Sequence, residues 1–430
     1  MTAAALQPFK PELPTEIWYH IFRLATEVEG EFDPLLWSQV HTAAPLRDLF
    51  TCSIYSTYTK ATRSAIEDSF PTRLNISSVS RRWRRLGITI LYSSVTLRSH
   101  TNMVAFLDAL KQSAGGSANS GGLVRRITFG PSRFAKFENS SKTMARILSL
   151  CKNLVILVDD GPATGPGQFP FPEFPPLIQC PNLRYIFGKR AIAPLISSEP
   201  WRWLSSMQNL HAITLEEYFL RPTSFQASIH TLHLPHLHTL QFADGGCAMA
   251  GSVSIWDLPS LRNLIFTEKN SNRAFNCILK SHGHKIEKFM FTRDLEEDEH
   301  QSMIDIILSP PSLPQLRFLS MPFSEPNDLP SVTPLITSPN LEHVEFPIDL
   351  SSLMPYGAGP YHRYTLGEGS VGELLDVLLN REKTPSLQTV RFLNLSESRP
   401  MLIDYWLEEL KERFWERGVR LEIDMVDCGS

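Results

Sequence analysis

The chain has 430 residues and a formal net charge of −4, from 45 acidic and 41 basic side chains. A balance this close to neutral argues against general nucleic-acid binding, which requires a basic surface. The six cysteines are scattered without a CxxC pair, so nothing in their pattern implies a disulfide framework or a zinc site. No run of about 18 apolar residues is present to span a membrane, and the first residues lack a signal-peptide pattern. We therefore expect a cytoplasmic and/or nuclear protein that contacts neither membrane nor nucleic acid.

The first predicted element is a helix over residues 13–27. Pro14 suits a first turn, and Glu16 favours the positive end of the helix dipole. Apolar residues recur at helical spacing along one stripe. The stripe consists of Leu13, Ile17, Ile21, Leu24 and Val28, and it is widened by Trp18, Phe22 and Ala25.

The next strong helical pattern covers residues 74–92. It predicts one continuous helix with a shared apolar face, made of Val79, Trp83, Leu86 and Ile90. Four arginines between residues 81 and 85 flank Trp83 and could contact phosphate, an acidic protein partner or solvent. The charge balance elsewhere favours the last two. Residues 93–97 then alternate like a strand.

These two helical segments resemble an F-box, a compact helical module. The resemblance rests on Leu13-Pro-x-Glu-Ile17 with Ile21-Phe22 at its start, and on Val79-Ser-Arg-x-Trp83-Arg with Leu86 at its end. An insertion at about residues 29–71 splits the motif, so the module covers residues 1–100. The resemblance implies docking to a Skp-type adaptor and, through it, to a cullin. The adaptor-binding residues that it implies are Leu13, Pro14, Ile17, Ile21, Phe22, Val79, Trp83 and Leu86.

The rest of the chain, residues 101–430, is dominated by one recurring unit. The unit has apolar residues at positions 1, 4 and 6, as in Leu341-Glu-His-Val344-Glu-Phe346. The leading residues are Leu154, Leu183, Leu210, Leu237, Leu261, Ile286, Leu316, Leu341 and Leu387. Their spacings are 29, 27, 27, 24, 25, 30, 25 and 46 residues, and a period of about 20–29 residues is typical of leucine-rich repeats. A lead-in such as Cys180-Pro-Asn or Leu258-Pro-Ser precedes most units.

We therefore predict an α/β fold in which the small helical module precedes an irregular leucine-rich-repeat solenoid. Parallel strands should line its concave side, with helices and loops on its convex side. The apolar residues of each unit point inward, and the residues between them face the concave surface. Such solenoids usually bind other proteins. The in-between residues selected as target-binding candidates are Thr214, Gln241, Lys288, Met290, Phe318, His343, Glu345 and Arg391.

Two further patterns are candidates for a phosphate-binding loop and a metal site. Gly367-Glu-Gly369-Ser-Val-Gly372 is a literal GxGxxG, yet no other kinase motif follows and no buried strand clearly precedes it. We interpret it as a loop that leads into a helix over residues 371–380. Five histidines cluster between His211 and His238, but no cysteine or carboxylate completes a metal set. We expect no catalytic residue, no metal and no cofactor.

The resemblance implies a substrate-recognition subunit of a cullin–RING ubiquitin ligase of the Skp-cullin-F-box type. Its repeats would bind a target protein, and the chain itself would not be an enzyme. The alternative is a non-catalytic leucine-rich-repeat scaffold or sensor that acts outside a ligase, with the helices only capping the solenoid. An enzyme that uses the glycine loop is a third and weaker hypothesis.

Overall fold

A computed structural model of the chain describes residues 13–28, 31–32, 54–114, 120–130, 138–159, 180–188, 204–216, 231–243, 253–266, 272–291, 313–320, 339–348, 370–394 and 401–425. Within these residues, twelve parallel strands form one sheet, and each strand pairs with the next one along the chain. The strands are β1 Ser94–Leu97, β2 Arg126–Phe129, β3 Ile156–Asp159, β4 Tyr185–Gly188, β5 Ala212–Glu216, β6 Thr239–Ala243, β7 Asn263–Phe266, β8 Lys288–Phe291, β9 Phe318–Ser320, β10 His343–Ile348, β11 Thr389–Asn394 and β12 Arg420–Met425. This sequential order is that of a solenoid with one strand per repeat, so the predicted α/β leucine-rich-repeat fold is confirmed.

Helices precede the sheet and return the chain between several of its strands. They are α1 Thr15–Thr26, α2 Ile54–Val79, α3 Arg81–Ser93, α4 His100–Ala114, α5 Glu138–Leu150, α6 Asn272–His282, α7 Ser370–Leu379 and α8 Met401–Glu416, with short 3-10 turns at Ser120–Leu123 and Gly283–Lys285. The sequence also predicts a final helix over residues 402–417 and a terminal capping strand over residues 419–423, and these correspond to α8 and β12. Residues from α4, α5, α6, α7 and α8 join the main buried cluster, so these helices cover one face of the sheet.

The core lies on that face and is built from the apolar positions of the repeat. Leu240 pairs with Leu264, and Leu264 pairs with Phe289, and all three are fully buried. At the last apolar position the aromatic rings stack from repeat to repeat, with centroids 5.1 Å apart for Phe242 and Phe266. Each repeat thus buries its apolar side chains against its neighbours, which is why a single repeat has no core of its own.

The recurring lead-in forms a turn that links each repeat to the one before it. The amide of Leu183, a leading residue, donates to the carbonyl of Cys180 at 3.0 Å, and the same contact joins Leu154 to Cys151, Leu237 to Leu234, Leu261 to Leu258, Leu316 to Leu313 and Leu387 to Thr384. The residue just before the leading one then donates from its side chain to the preceding lead-in. These bonds join Asn209 to Pro181, Ser260 to Pro235, Asn340 to Pro314 and Ser386 to Pro339, at 2.5–2.8 Å. An asparagine or serine at this position therefore links a repeat to the one before it, although other residues also occupy the position, as in Leu234-Pro-His236 and Leu313-Pro-Gln315.

Cys151 and Cys180 occupy the first position of two successive lead-ins. Both are buried free thiols, and the Sγ of Cys180 lies 3.8 Å from the carbonyl oxygen of Cys151. Burial raises the pKa of each thiol to about 12, so both stay protonated at neutral pH. They act as small apolar side chains at the turn, which is the structural role that their spacing indicates.

Two boundaries differ from the sequence prediction. The helical pattern over residues 74–92 is broken at Ser80, whose side chain accepts a hydrogen bond from the amide of Trp83 and caps α3. The prediction of one continuous helix is therefore wrong, and Val79 ends α2 instead of sharing a face with Trp83. The sheet also begins within residues 1–100, the range predicted for the helical module, because the strand-like residues 93–97 supply β1, which pairs with β2 from Ser94 to Leu97.

Candidate protein-interaction surfaces

The inner face of α1 packs against α3 through three aromatic rings. Ring centroids lie 4.7 Å apart for Phe22 and Trp83 and 4.9 Å apart for Trp18 and Trp83. Leu86 and Ile90 extend this small cluster, in which Phe22 is only 2% exposed. Three of the predicted adaptor-binding residues, Phe22, Trp83 and Leu86, therefore belong to the core that holds the helical module together.

The outer face of α1 carries apolar side chains that contact little of the chain. Its exposed fractions are 44% for Leu13, 45% for Ile17, 40% for Ile21 and 59% for Leu24. On a helical wheel Ile17, Ile21 and Leu24 fall within one arc, away from Trp18 and Phe22, and Leu13 lies just before the helix begins at Thr15. Leu24 was not among the predicted contacts, although its spacing from Ile17 and Ile21 already placed it on the same stripe.

The bend between α2 and α3 brings a further exposed residue to the start of α1. The guanidinium of Arg82 donates to the carbonyl of Leu13 at 3.3 Å, which places this bend beside the first residues of the helix. Val79, at the end of α2, is 62% exposed. We call Leu13, Ile17, Ile21, Leu24 and Val79 the apolar patch. Pro14 is exposed at the rim of this patch. Because Arg82 bonds to Leu13, the two halves of the split motif meet in space.

A buried ion pair anchors the segment that follows α1. Both carboxylate oxygens of Glu31 accept hydrogen bonds from Arg73 of α2 at 3.0 Å, and both side chains are almost fully buried. Arg73 also donates to the carbonyls of Thr26 and Ile90, and Arg126 of β2 donates to the carbonyl of Glu31 at 3.0 Å. These bonds connect α1, α2, α3 and the second strand of the sheet. Part of the predicted insertion, residues 29–71, therefore ties the helical module to the solenoid.

The face of the sheet opposite the core, which we call the far face, is buried along β3, β4 and β5. A second apolar cluster forms there from Ile156, Val158, Tyr185, Phe187 and Ala212, each 6% exposed or less. The signal in the sequence is the unbroken apolar runs at 156–158 and 185–187, since strands that are buried on both faces lack polar alternation. This part of the far face is therefore not an open recognition surface.

The predicted target-binding residues divide into two groups on the far face. Thr214, Gln241, Met290 and Arg391 are buried, with 2%, 3%, 4% and 6% exposure. These four therefore lie on the predicted side of the sheet but offer little surface to a partner, and their role in target binding stays a prediction. The four that keep part of their surface exposed are Lys288, Phe318, His343 and Glu345, in β8, β9 and β10.

Charged side chains alternate along the far face near the end of the sheet. Arg391 lies between two carboxylates, 3.8 Å from Glu345 and 3.9 Å from Glu422. Ser320 donates to Glu345 at 3.1 Å. Lys288 lies 4.2 Å from the centroid of the Phe318 ring, and burial lowers the pKa of its ammonium group while nearby Glu345 opposes that shift. The far face thus changes from apolar along β3, β4 and β5 to charged along β10, β11 and β12.

The structure describes part of the glycine pattern and part of the histidine cluster. Gly372 lies inside α7, whereas Gly367 and Gly369 lie outside the described residues. His233 contacts Asp257 at 2.6 Å, and the rings of His211 and His238 lie 5.3 Å apart. His230 is not among the described residues. Across the described ranges, no group of three or more histidine, cysteine or acidic side chains could hold a metal ion, and no helix could cross a membrane.

Comparisons with known proteins add little to these observations. No family model matches the sequence, and no curated protein does. Among solved structures, the chain is similar to one in the crystal structure of a Rad7 and Elc1 complex in yeast. The similarity covers 80% of this chain and 93% of that chain, with 13% identity and a TM-score of 0.25. Similarity at this level carries no information on function.

Proposed function

We propose that the chain is the substrate-recognition subunit of a Skp-cullin-F-box ubiquitin ligase. The apolar patch would dock a Skp-type adaptor and, through it, a cullin. The solenoid would hold a target protein for the ligase's other subunits, and the chain itself would catalyse nothing. The observation that carries the proposal is the apolar patch, at the position where the F-box resemblance implies adaptor contact.

The physical argument rests on the division of α1 into two faces. The inner face is occupied by Trp83, so the exposed leucine and isoleucine side chains of the outer face are not needed for the core of the module. Burying an exposed leucine or isoleucine against a partner contributes roughly 1–2 kcal/mol. Contiguous exposed apolar surface with a polar rim is typical of protein interfaces, and Glu16, Arg23 and Glu27 supply such a rim on α1.

Target binding is assigned to the later repeats. Lys288, Phe318, His343 and Glu345 offer cationic, aromatic and anionic groups close together on β8, β9 and β10. This mixture suits a protein target with both charged and apolar side chains. The burial of the far face in β3–β5 argues against recognition at those strands.

The decisive experiment compares matched aspartate substitutions in the full-length chain. Ile17→Asp and Val79→Asp each place a charge in the apolar patch, and Ile255→Asp does the same at a remote residue that is 38% exposed. We expect the first two to lower recovery of the adaptor and cullin by about tenfold or more in quantitative co-purification, because a charge in a buried interface costs several kcal/mol. Ile255→Asp should leave recovery unchanged.

Circular dichroism and thermal melting establish that each variant is folded. Trp83→Ala is unsuitable as a docking test, because Trp83 belongs to the module's core and its loss would unfold the patch. If folded Ile17→Asp and Val79→Asp retain adaptor at the level of Ile255→Asp, the docking assignment is wrong. Recovery of another stable partner with no adaptor or cullin would favour the scaffold hypothesis.

A further inference from the structure

The last strand leaves one edge of the sheet without a strand neighbour. Among the described residues, β12 pairs with β11 and with no other strand. Leu421 and Ile423 remain half-buried, whereas their partners Val390 and Phe392 in β11 are 0% and 1% exposed. Apolar side chains that stack in every earlier repeat therefore have no repeat above them here.

The free edge also presents backbone groups that no other strand of the described residues pairs with. The amide of Arg420 donates to the carbonyl of Gln388 at 2.7 Å, so Arg420 directs its backbone toward β11. Because alternate residues of a strand direct their backbone groups to opposite sides, Leu421 and Ile423 direct theirs away from β11. Such an edge is a template for another strand.

The nearest exposed aromatic side chain lies beside the same edge. Trp415 of α8 is 82% exposed, the highest value among the exposed large apolar side chains of the described residues. It lines an open cavity of about 680 Å³, whose other lining residues are Val419, Arg420, Leu421 and the charged α8 residues Glu408, Glu409, Lys411 and Glu412. Tryptophan is the residue type most often found to dominate binding energy at protein interfaces.

Charge on the far face selects the partner and its register. Along β10, β11 and β12 the signs alternate as Glu345, Arg391 and Glu422, with Arg420 beside Glu422 at 3.0 Å. If a second copy pairs antiparallel about a two-fold axis at Leu421, the partner's Arg420 lies opposite Glu422. The alternation of charge then continues across the axis in both directions. A shift by one residue to an axis at Glu422 would place like charges in opposition, which destabilises strand pairing.

We propose that the chain forms a two-fold symmetric homodimer through its β12 edges. Arg420 and Glu422 form reciprocal ion pairs, Val419 lies opposite the partner's Ile423, and Leu421 lies opposite the partner's Leu421. Trp415 is covered by the partner subunit. Two-fold symmetry requires a self-complementary surface. Arg420-Leu-Glu422 meets that requirement, because an antiparallel copy places glutamate opposite arginine and leucine opposite leucine. The dimer is independent of adaptor docking, which uses the opposite end of the molecule.

The test is a mixing experiment with two single charge reversals in the full-length chain. In a homodimer, Arg420→Glu places a glutamate opposite the partner's Glu422, and Glu422→Arg places an arginine opposite the partner's Arg420. Each variant alone should therefore shift toward monomers. Mixed together they restore both ion pairs and should form a heterodimer. Light scattering after size exclusion, at concentrations up to about 100 μM, measures the mass. We expect the dissociation constant of each single variant to rise by roughly tenfold or more over that of the unmodified chain.

Controls separate the proposed pairing from general charge effects. Arg317→Glu reverses an exposed arginine that pairs with Glu342 inside the solenoid, and it should leave the dimer intact. Trp415→Ala should weaken the dimer without changing charge. A monomeric unmodified chain at the highest concentration would overturn the proposal. So would a dimer that survives both charge reversals, or two monomeric variants that fail to associate when mixed.

Discussion

The solenoid and the helical module place their apolar side chains in opposite ways. In the strands, the core residues Leu240, Leu264 and Phe289 are fully buried. In the module, Ile17, Leu24 and Val79 are 45%, 59% and 62% exposed. Both regions carry strongly periodic apolar patterns, so periodicity alone does not distinguish them. The difference teaches that the solenoid buries its apolar residues within its own fold, whereas the module leaves a face available to a partner.

The largest effect on stability is expected when an aromatic side chain is removed from the core of the solenoid. Phe289→Ala should lower the free energy of unfolding by about 3–5 kcal/mol, because the ring is fully buried and its centroid lies 6.0 Å from that of the Phe266 ring. Urea unfolding followed by circular dichroism gives the value. Phe318→Ala, at a half-exposed far-face position, is the matched control and should cost less. Equal losses for the two variants would show that the far face is packed as tightly as the core.

The ion pair of Glu31 and Arg73 tests whether the two regions unfold together. Glu31→Gln leaves a buried guanidinium without its countercharge, and we expect a loss of about 3 kcal/mol. Combining it with Arg73→Met removes the stranded charge and should recover part of the loss. Hydrogen exchange of β1 and β2 should rise along with that of α1. Faster exchange in α1 alone would indicate that the module unfolds independently of the sheet.

The pH dependence of stability should reveal a buried histidine on the core side of the solenoid. His282, at the end of α6, is 3% exposed, and burial lowers its pKa below 6.5. The unfolded chain therefore takes up a proton more readily than the folded one, so stability falls as pH drops below about 6.5 and levels off below the folded-state pKa. Urea midpoints at pH 7.5 and pH 5 measure this fall. His282→Gln should make the fall smaller, and an unchanged fall would assign it to other groups.

The smallest effect on stability is expected at the apolar patch itself. Leu24→Ala truncates a side chain that is 59% exposed, and it should change the free energy of unfolding by no more than about 0.5 kcal/mol. The same urea assay measures it. A loss of more than about 1 kcal/mol would show that the patch stabilises the module, and the contrast between the two regions would then disappear.

The repeat architecture could be predicted from sequence because nine of the twelve described strands, β3 to β11, follow the same recurring unit. The leading residues, the lead-in turns and the strands all follow from one spacing rule, and stacking identical units leaves a single arrangement. The helices α7 and α8 were also predictable, because helical patterns over residues 371–380 and 402–417 precede β11 and β12. Their observed ends lie within a few residues of the predicted ones.

The surfaces were less predictable, because exposure depends on packing between distant segments. Val79 shares helical spacing with Trp83, yet Ser80 offers a cap that starts a new helix and separates them. Phe22 and Ile17 lie on one apolar stripe, but only Phe22 meets Trp83. Glu31 and Arg73 are 42 residues apart, and no local pattern indicates that they pair. Alternation along a strand likewise identifies the far face without indicating which repeats are covered there.

The bonds from Arg73 and Arg126 to Glu31 have a geometric consequence for anything that binds at both ends. They join the helical module to the second strand directly, so the distance from the apolar patch to the last repeats is set by the sheet. Twelve strands are separated by eleven spacings of about 4.8 Å, or roughly 50 Å from β1 to β12. The molecule then acts as a ruler of nearly fixed length, and adding or removing a whole repeat would change its reach in steps of one strand.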